Sequence, residues 1–356
     1  MGASLTVDDC RTSAQKRATS GATGRIPAFD FTKGVLVLFM VLYHWLNYFY
    51  GVEGKIYNYL RFLTPSFIFI TGFLISHVHF SKYGIGNSQL SKRLVLRGLK
   101  ILGLFVLLNL MIGLLFPQSP IRTILFQHRS LAPLYAIFVS GNVYVDGSEK
   151  AAAFAILVPI GYLLIISACL SMVCKFFKYG FHVVCGMLLL SILILDLNHM
   201  HSVNLELLAI GLLGIVLGYA SESEILRFVS YPYLAVFAYF VYLGAITIWE
   251  VPFPLRVVGV VLTVTLIYMV GAISRKPGRL GQHIVVLGKY SLFGYVSQIA
   301  ILQVLHRILN HVNLGIGVLG LSFVAGFALT MMSVEIVDRV RPKSIALDRL
   351  YRTVFA

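Results

Sequence analysis

Lys33 and His44, spaced as Lys33-x10-His44 inside the apolar run Phe31–Tyr50, are the residues of this chain best placed to do chemistry. Imidazole titrates near neutral pH, so its neutral form is a general base for a hydroxyl or amine nucleophile. Within a membrane-spanning helix a histidine is costly unless it faces a cavity or a partner, which makes it a candidate site. The alternative is an interfacial histidine, since Trp45, Tyr48 and Tyr50 follow it and aromatic residues collect at membrane surfaces. With a helix starting near Asp30, His44 lies about 21 Å along it, toward the far leaflet. Asp30 reads as the N-cap, with its carboxylate at the positive end of the helix dipole. Lys33 sits one turn further in, where its side chain can snorkel back to water.

Three other clusters carry polar chemistry. Arg93 and Arg97 are spaced i,i+4 and share a helix face, and Lys100 extends the cationic stripe. Paired guanidiniums grip phosphates; they are equally an ordinary basic loop end in contact with lipid headgroups. In Thr64–Ser76, Gly72 permits close approach of a ligand or a neighbouring helix, while Ser66, Thr71 and Ser76 supply hydroxyls that also satisfy themselves within a helix. Leu287–Gln298 brings Tyr290, Ser291, Tyr295 and Gln298 to the start of an apolar run. His77 and His79 are i,i+2 and make a poor metal pair, and Glu206, Glu335 and Asp338 stand near span ends where an interfacial place suffices. No HExxH, P-loop or paired CxxC motif occurs, so no metal is expected.

The elements that must hold these residues are transmembrane helices. The 356 residues are 58% hydrophobic and 12% charged, with a mean hydropathy of +0.86; soluble domains run about 45–50% apolar and about 25% charged. The net charge of +15 belongs to basic loops of a membrane protein rather than to a nucleic-acid surface. Ten spans are predicted, at 31–50, 59–79, 95–116, 151–173, 181–197, 203–220, 232–250, 255–274, 290–309 and 314–337. The link Asp196–His201 leaves open a single broken re-entrant pair in place of the fifth and sixth. With alternating spans, 22 of the 29 Lys and Arg fall on the side of the N-terminus, which puts both termini in the cytoplasm. Residues 1–24, rich in small and polar side chains, read as a disordered cytoplasmic tail before one membrane domain over 25–356. The longest connection, roughly 117–150, reads as a packed lid or re-entrant piece on the outer side.

The clusters stand in a set order: Asp30-x-x-Lys33-Gly34, Lys33-x10-His44, Thr71-Gly72-Phe73-Leu74-Ile75-Ser76, Arg93-x-x-x-Arg97, then Leu287-Gly288-Lys289-Tyr290-Ser291 with Tyr295-x-x-Gln298. Over roughly residues 25–352 this order resembles the acyltransferase type 3 superfamily of integral membrane acyltransferases. It is similar as well to their heparan-alpha-glucosaminide N-acetyltransferase-like and glucan succinyltransferase-like relatives. The resemblance implies an all-α bundle of about ten helices, expected in a bacterial inner membrane among its lipids. It implies a donor, acyl-CoA (acetyl-CoA first), and as acceptor a hydroxyl or amine of a cell-envelope glycan. The family's basic residue and catalytic histidine map onto Lys33 and His44, its arginine pair onto Arg93 and Arg97, and its small-residue turn onto Gly72 and Ser76. Gln298 stands where many members carry histidine, and Lys33 where arginine is commoner. On this reading Arg93 and Arg97, helped by Lys33 or Lys100, hold the coenzyme phosphates, and Tyr43, Ser66 or Tyr295 faces the oxyanion. The rival class is a proton-coupled transporter or flippase of an anionic solute, with His44 in a proton relay.

Overall fold

Pro27 fixes where the first helix begins. Its missing N–H and preset φ suit the first helical position, so Ile26 is the N-cap and Asp30 lies inside the first turn. Asp30 is therefore not the cap expected of it; its Oδ1 pairs with Lys33 Nζ at 2.6 Å. The computed structural model describes residues 26–51, 58–115, 132–142, 144–145, 149–150, 152–177, 179–220, 231–249, 251–273, 278–309 and 315–355. The tail expected over 1–24 and residues 117–131 of the long connection lie outside them.

The regular secondary structure of the described residues is helical apart from a two-residue antiparallel ladder, β1 (Tyr144–Val145) with β2 (Glu149–Lys150). The helices are α1 (Pro27–Trp45), α2 (Leu63–Leu74), α3 (Ser88–Leu115), α4 (Ala132–Tyr135), α5 (Leu157–Val173), α6 (Gly180–Leu197), α7 (Val203–Leu217), α8 (Pro232–Ile248), α9 (Phe253–Ile273), α10 (Arg279–Lys289), α11 (Ser291–Leu309), α12 (Ile316–Val340) and α13 (Ile345–Val354). Wider π turns continue three of them: Leu46–Tyr50 after α1, Ile75–Phe80 after α2 and Ala136–Ser140 after α4.

Among the described residues, seven helices are long and apolar enough to cross a membrane: α1 and α2 with their extensions, α3, α6, α9, α11 and α12. Three further apolar helices, α5, α7 and α8, are shorter, at 17, 15 and 17 residues; at 1.5 Å per residue they reach roughly 22–26 Å against a core of about 30 Å. Each coincides with a predicted span. The link after α6 passes through His199 at positive φ to the N-cap Ser202, where α7 begins as a separate helix.

Side chains are distributed as an integral membrane protein requires. Leu96, Leu107, Leu114, Leu190, Phe237 and Leu321 are exposed, while Thr32, Ser66, Ser167, Gln298 and Thr330 are fully buried. With lipid outside, no hydrophobic force gathers the helices, so close packing and interior polar contacts must do so. Ser91 and Ser171 hydrogen-bond between α3 and α5 at 2.9 Å, and Asn109 bridges to the backbone of Ala153. The long connection is pinned where it is described: Asn204 Nδ2 on α7 donates to the carbonyls of Ile137 and Phe138.

Two contacts between backbones position the site. On α2, Gly72 lies against Gly211 of α7, and Ser76 against Gly218 just beyond it. On α1, Gly34 lies against the Ile284 carbonyl of α10, and Gly288 against the Asp30 carbonyl. A Cβ at Gly288 would overlap that carbonyl. Gly288→Ala is expected to destabilise the protein by about 1–3 kcal/mol, as overpacking does. Gly103→Ala, where a Cβ meets nothing, serves as the control, and thermal unfolding in detergent reads the difference.

Candidate functional site

The Gly34–Gly288 contact explains how two distant motifs meet. With α10 pressed onto the start of α1, Gly294 of α11 comes beside Val37, partway up α1. The next residue, Tyr295, is buried, and its ring centroid lies 6.4 Å from that of His44. Tyr43 packs edge-on against the same imidazole at 5.1 Å. His44 as a whole is half-buried, and its Nε2 is closed off from solvent. Trp45 is turned to α12, where its indole N–H donates to Ser322 Oγ at 2.9 Å. Immediately after His44 the helix widens into the π turn Leu46–Tyr50, a departure that recurs at functional sites.

A cavity of about 160 Å³ runs from the basic end of the bundle to Tyr295. Its polar lining is Lys33, Thr71, His79, Arg97, Ser291 and Tyr295; Leu94, Ile101, Leu157 and Leu164 supply much of the apolar wall. Lys33, four-fifths buried and ion-paired with Asp30, brings a cation into it. α3 begins earlier than predicted, at Ser88, so both arginines lie within the helix, but they part company. Arg97 lines the cavity, whereas Arg93 lies over the Tyr83 ring at 5.8 Å. Lys100 is turned to α13, donating to the Arg352 carbonyl at 3.3 Å. There Phe355 meets Phe293 edge-on, beside the cavity-lining Leu292. The hydrogen bond from Arg341, with Arg352 beside it, holds the Asp348 carboxyl of α13 below the usual carboxylate range. Asp348 is therefore ionised at neutral pH, and α13 stays tied to this end of the bundle.

The remaining predicted residues fall elsewhere. Gly72 and Ser76 do not line the cavity; they form the seam with α7, and the Ser76 hydroxyl donates to Phe73 O. Ser66 is fully buried and donates to Phe62 O at 2.7 Å. Gln298, one helical turn beyond Tyr295 on the same face of α11, is fully buried, and neither amide atom has a hydrogen-bond partner among the described residues. Leaving such groups unsatisfied costs about 1–3 kcal/mol each, and an orphaned amide beside a cavity is where a ligand's polar atoms have something to offer.

Sequence reasoning missed Thr71, His79 and Ser291 as cavity residues. For α2 the signal was available: Thr71, Ile75 and His79 recur at four-residue spacing, one face of a helix. His79 was weighed only as half of a metal pair with His77, which instead stacks on Phe73 and contacts Gly218 O.

The cavity thus has Lys33 and Arg97 in its wall and ends at Tyr295, beyond which the half-buried His44 ring lies between two phenol rings. No protein-family model, curated protein or solved structure matches this chain.

Proposed function

We propose that this protein is an integral membrane acyltransferase. It moves an acyl group, acetyl in the first instance, from acyl-CoA to a hydroxyl or amine of a cell-envelope glycan. One observation carries the reading: a single cavity has Lys33 and Arg97 in its wall at the basic end and, at the other, Tyr295 within 6.4 Å of His44. At about 160 Å³ it is smaller than the roughly 300–1,000 Å³ of pockets that enclose a whole ligand. It has room for the thioester end of the donor, with the nucleotide left at the mouth. In this reading the seven long and three short apolar helices all cross, the loop charges keep both termini cytoplasmic, and the membrane is the bacterial inner membrane.

Neutral His44 takes the proton of the acceptor hydroxyl or amine as that atom attacks the thioester carbonyl. The Tyr295 hydroxyl donates to the oxyanion. The carbon–sulfur bond breaks, and the imidazolium returns its proton to the departing thiolate. An acyl ester or amide and free coenzyme A result.

Arg97 and Arg93 divide the phosphate-binding role unequally here. Replacing Arg97 by Gln is expected to raise the acyl-CoA KM by about 10–100-fold, the worth of one or two charge-assisted hydrogen bonds, with a smaller change in kcat. Arg93→Gln is expected to change KM less than about threefold, because its guanidinium stands outside the cavity over Tyr83. Steady-state kinetics on purified protein in nanodiscs read both.

The reading itself is tested by mass spectrometry of envelope glycans and lipids from cells with and without the protein. A mass difference of one acyl group on one glycan is the expected result. Identical spectra, with solute uptake into proteoliposomes that needs no acyl-CoA, would make it a carrier instead.

A further inference from the structure

A second and larger cavity, about 680 Å³, opens at the other end of the bundle and contains none of the residues that the sequence motifs single out. Helix ends build it: the residues before α2, the α6–α7 link, and the end of α8 with the start of α9. This is the end at which α1 finishes, beyond His44. Its deepest polar pair is Glu206 of α7 with Arg256 of α9, their side chains 11% and 21% exposed. Glu206, near a helix end as its position suggested, is largely buried in this pair. A buried ion pair brings little net stability, so a packed apolar pair would serve the fold as well. Arg256 Nε is also buried with no hydrogen-bond partner among the described residues. Nearer the rim, Asp196 pairs with His201 at 3.4 Å, and Arg61, Thr247 and the indole of Trp249 complete the wall.

The charges of this wall balance. Two guanidiniums face two carboxylates, and the deep pair is already formed. A charged ligand would have to break an ion pair to form its own. A hydroxyl group both donates and accepts, so it can donate to the free lone pairs of a carboxylate and accept from the guanidinium N–H groups of Arg61 and Arg256 that line the cavity, with every pair intact. An exposed indole beside such groups offers a flat apolar face to the C–H side of a sugar ring. We infer that this cavity binds an uncharged, polyhydroxylated ligand, a segment of neutral glycan, through Glu206, Arg256 and Trp249. The inference rests on the acyltransferase reading only for what the bound glycan does, which is to serve as acceptor. The volume lies within the range of pockets that enclose most of a small ligand.

The test is calorimetric titration of the full chain in nanodiscs, without acyl donor, using neutral trisaccharides of different hexose configuration and, separately, glycerophosphoethanolamine. At least one trisaccharide is expected to saturate the protein. Glu206→Gln is expected to weaken that binding about tenfold or more, the loss of one charge-assisted hydrogen bond. Because Glu206→Gln leaves Arg256 buried and unpaired, Trp249→Ala at the exposed rim supplies a second variant that keeps the fold, with the same expectation. In a Trp45→Phe background Trp249 is the one remaining tryptophan, and its emission is expected to shift on binding. No trisaccharide binding across the millimolar range, binding indifferent to both substitutions, or tighter binding of the zwitterionic headgroup would each overturn the inference. Since no donor is present, these results stand apart from any failure of thioester chemistry.

Discussion

His44→Ala is expected to leave a folded, membrane-inserted protein that still binds acyl-CoA and turns over about 10²–10⁴-fold more slowly, the usual contribution of a positioned general base. The expectation follows from position. The half-buried imidazole lies beside Tyr43 and Tyr295, and it is not among the residues lining the basic end of the cavity, where the donor's phosphates would bind. Binding and chemistry should therefore separate. Donor affinity should change less than about threefold while kcat falls. The measurement is single-turnover transfer from labelled acetyl-CoA, with detergent solubility and melting temperature as controls. Full activity in His44→Ala would remove the base from the scheme. Loss of donor binding together with turnover would make His44 a structural or binding group.

Tyr295→Phe is expected to lower kcat by about 10²–10³-fold, the effect of deleting one preorganised oxyanion donor. The phenylalanine keeps the ring that packs against His44 and Phe154, so the shape of the cavity wall is retained and only the hydroxyl is lost. Ser66→Ala is the natural comparison. Ser66 is buried, does not line the cavity and spends its hydrogen on Phe62 O, so its removal is expected to change kcat less than about threefold. A Tyr295→Phe protein of undiminished kcat would leave Tyr43 as the remaining phenol beside the imidazole.

Much of this site was legible before any coordinates, because the cost of burying polar groups in lipid makes them stand out. His44, Lys33, Arg97 and Tyr295 were each visible as polar residues inside apolar runs, and the structure brings three of them to one cavity with the fourth against its end wall. Spacing put Arg93 and Arg97 together on one helix, α3, but only Arg97 lines the cavity. What spacing could not give was which of the two faces inward. That depends on α5 and α11, which supply other parts of the cavity wall and lie far away in sequence.

Contacts between distant backbones were the least legible. Gly72 was read as room for a ligand or a helix, and only the fold places Gly211 opposite it. The stretch before Tyr290 read as the approach to a span, yet Arg279–Lys289 is a helix of its own, burying Ile284, Leu287 and Gly288 against α1. Its one-sided apolar pattern is too short to register as a span, but it sets the height at which Tyr295 enters. The Glu206–Arg256 pair was hidden for a similar reason. Each residue alone looks like an interfacial charge at a helix end; they are 50 positions apart, and only the packing of α7 near α9 makes them one buried group.

The central claim is that a thioester entering between Lys33 and Arg97 is cleaved beside His44. Its most direct measurement is release of free coenzyme A thiol from acetyl-CoA by purified protein in nanodiscs, with and without a neutral oligosaccharide acceptor. Thiol release is expected to be accelerated by the acceptor, to match acylated product one for one, and to be lost in His44→Ala. Acetyl-CoA that binds and is recovered intact in every condition, or cleavage that proceeds equally well without His44, would contradict it.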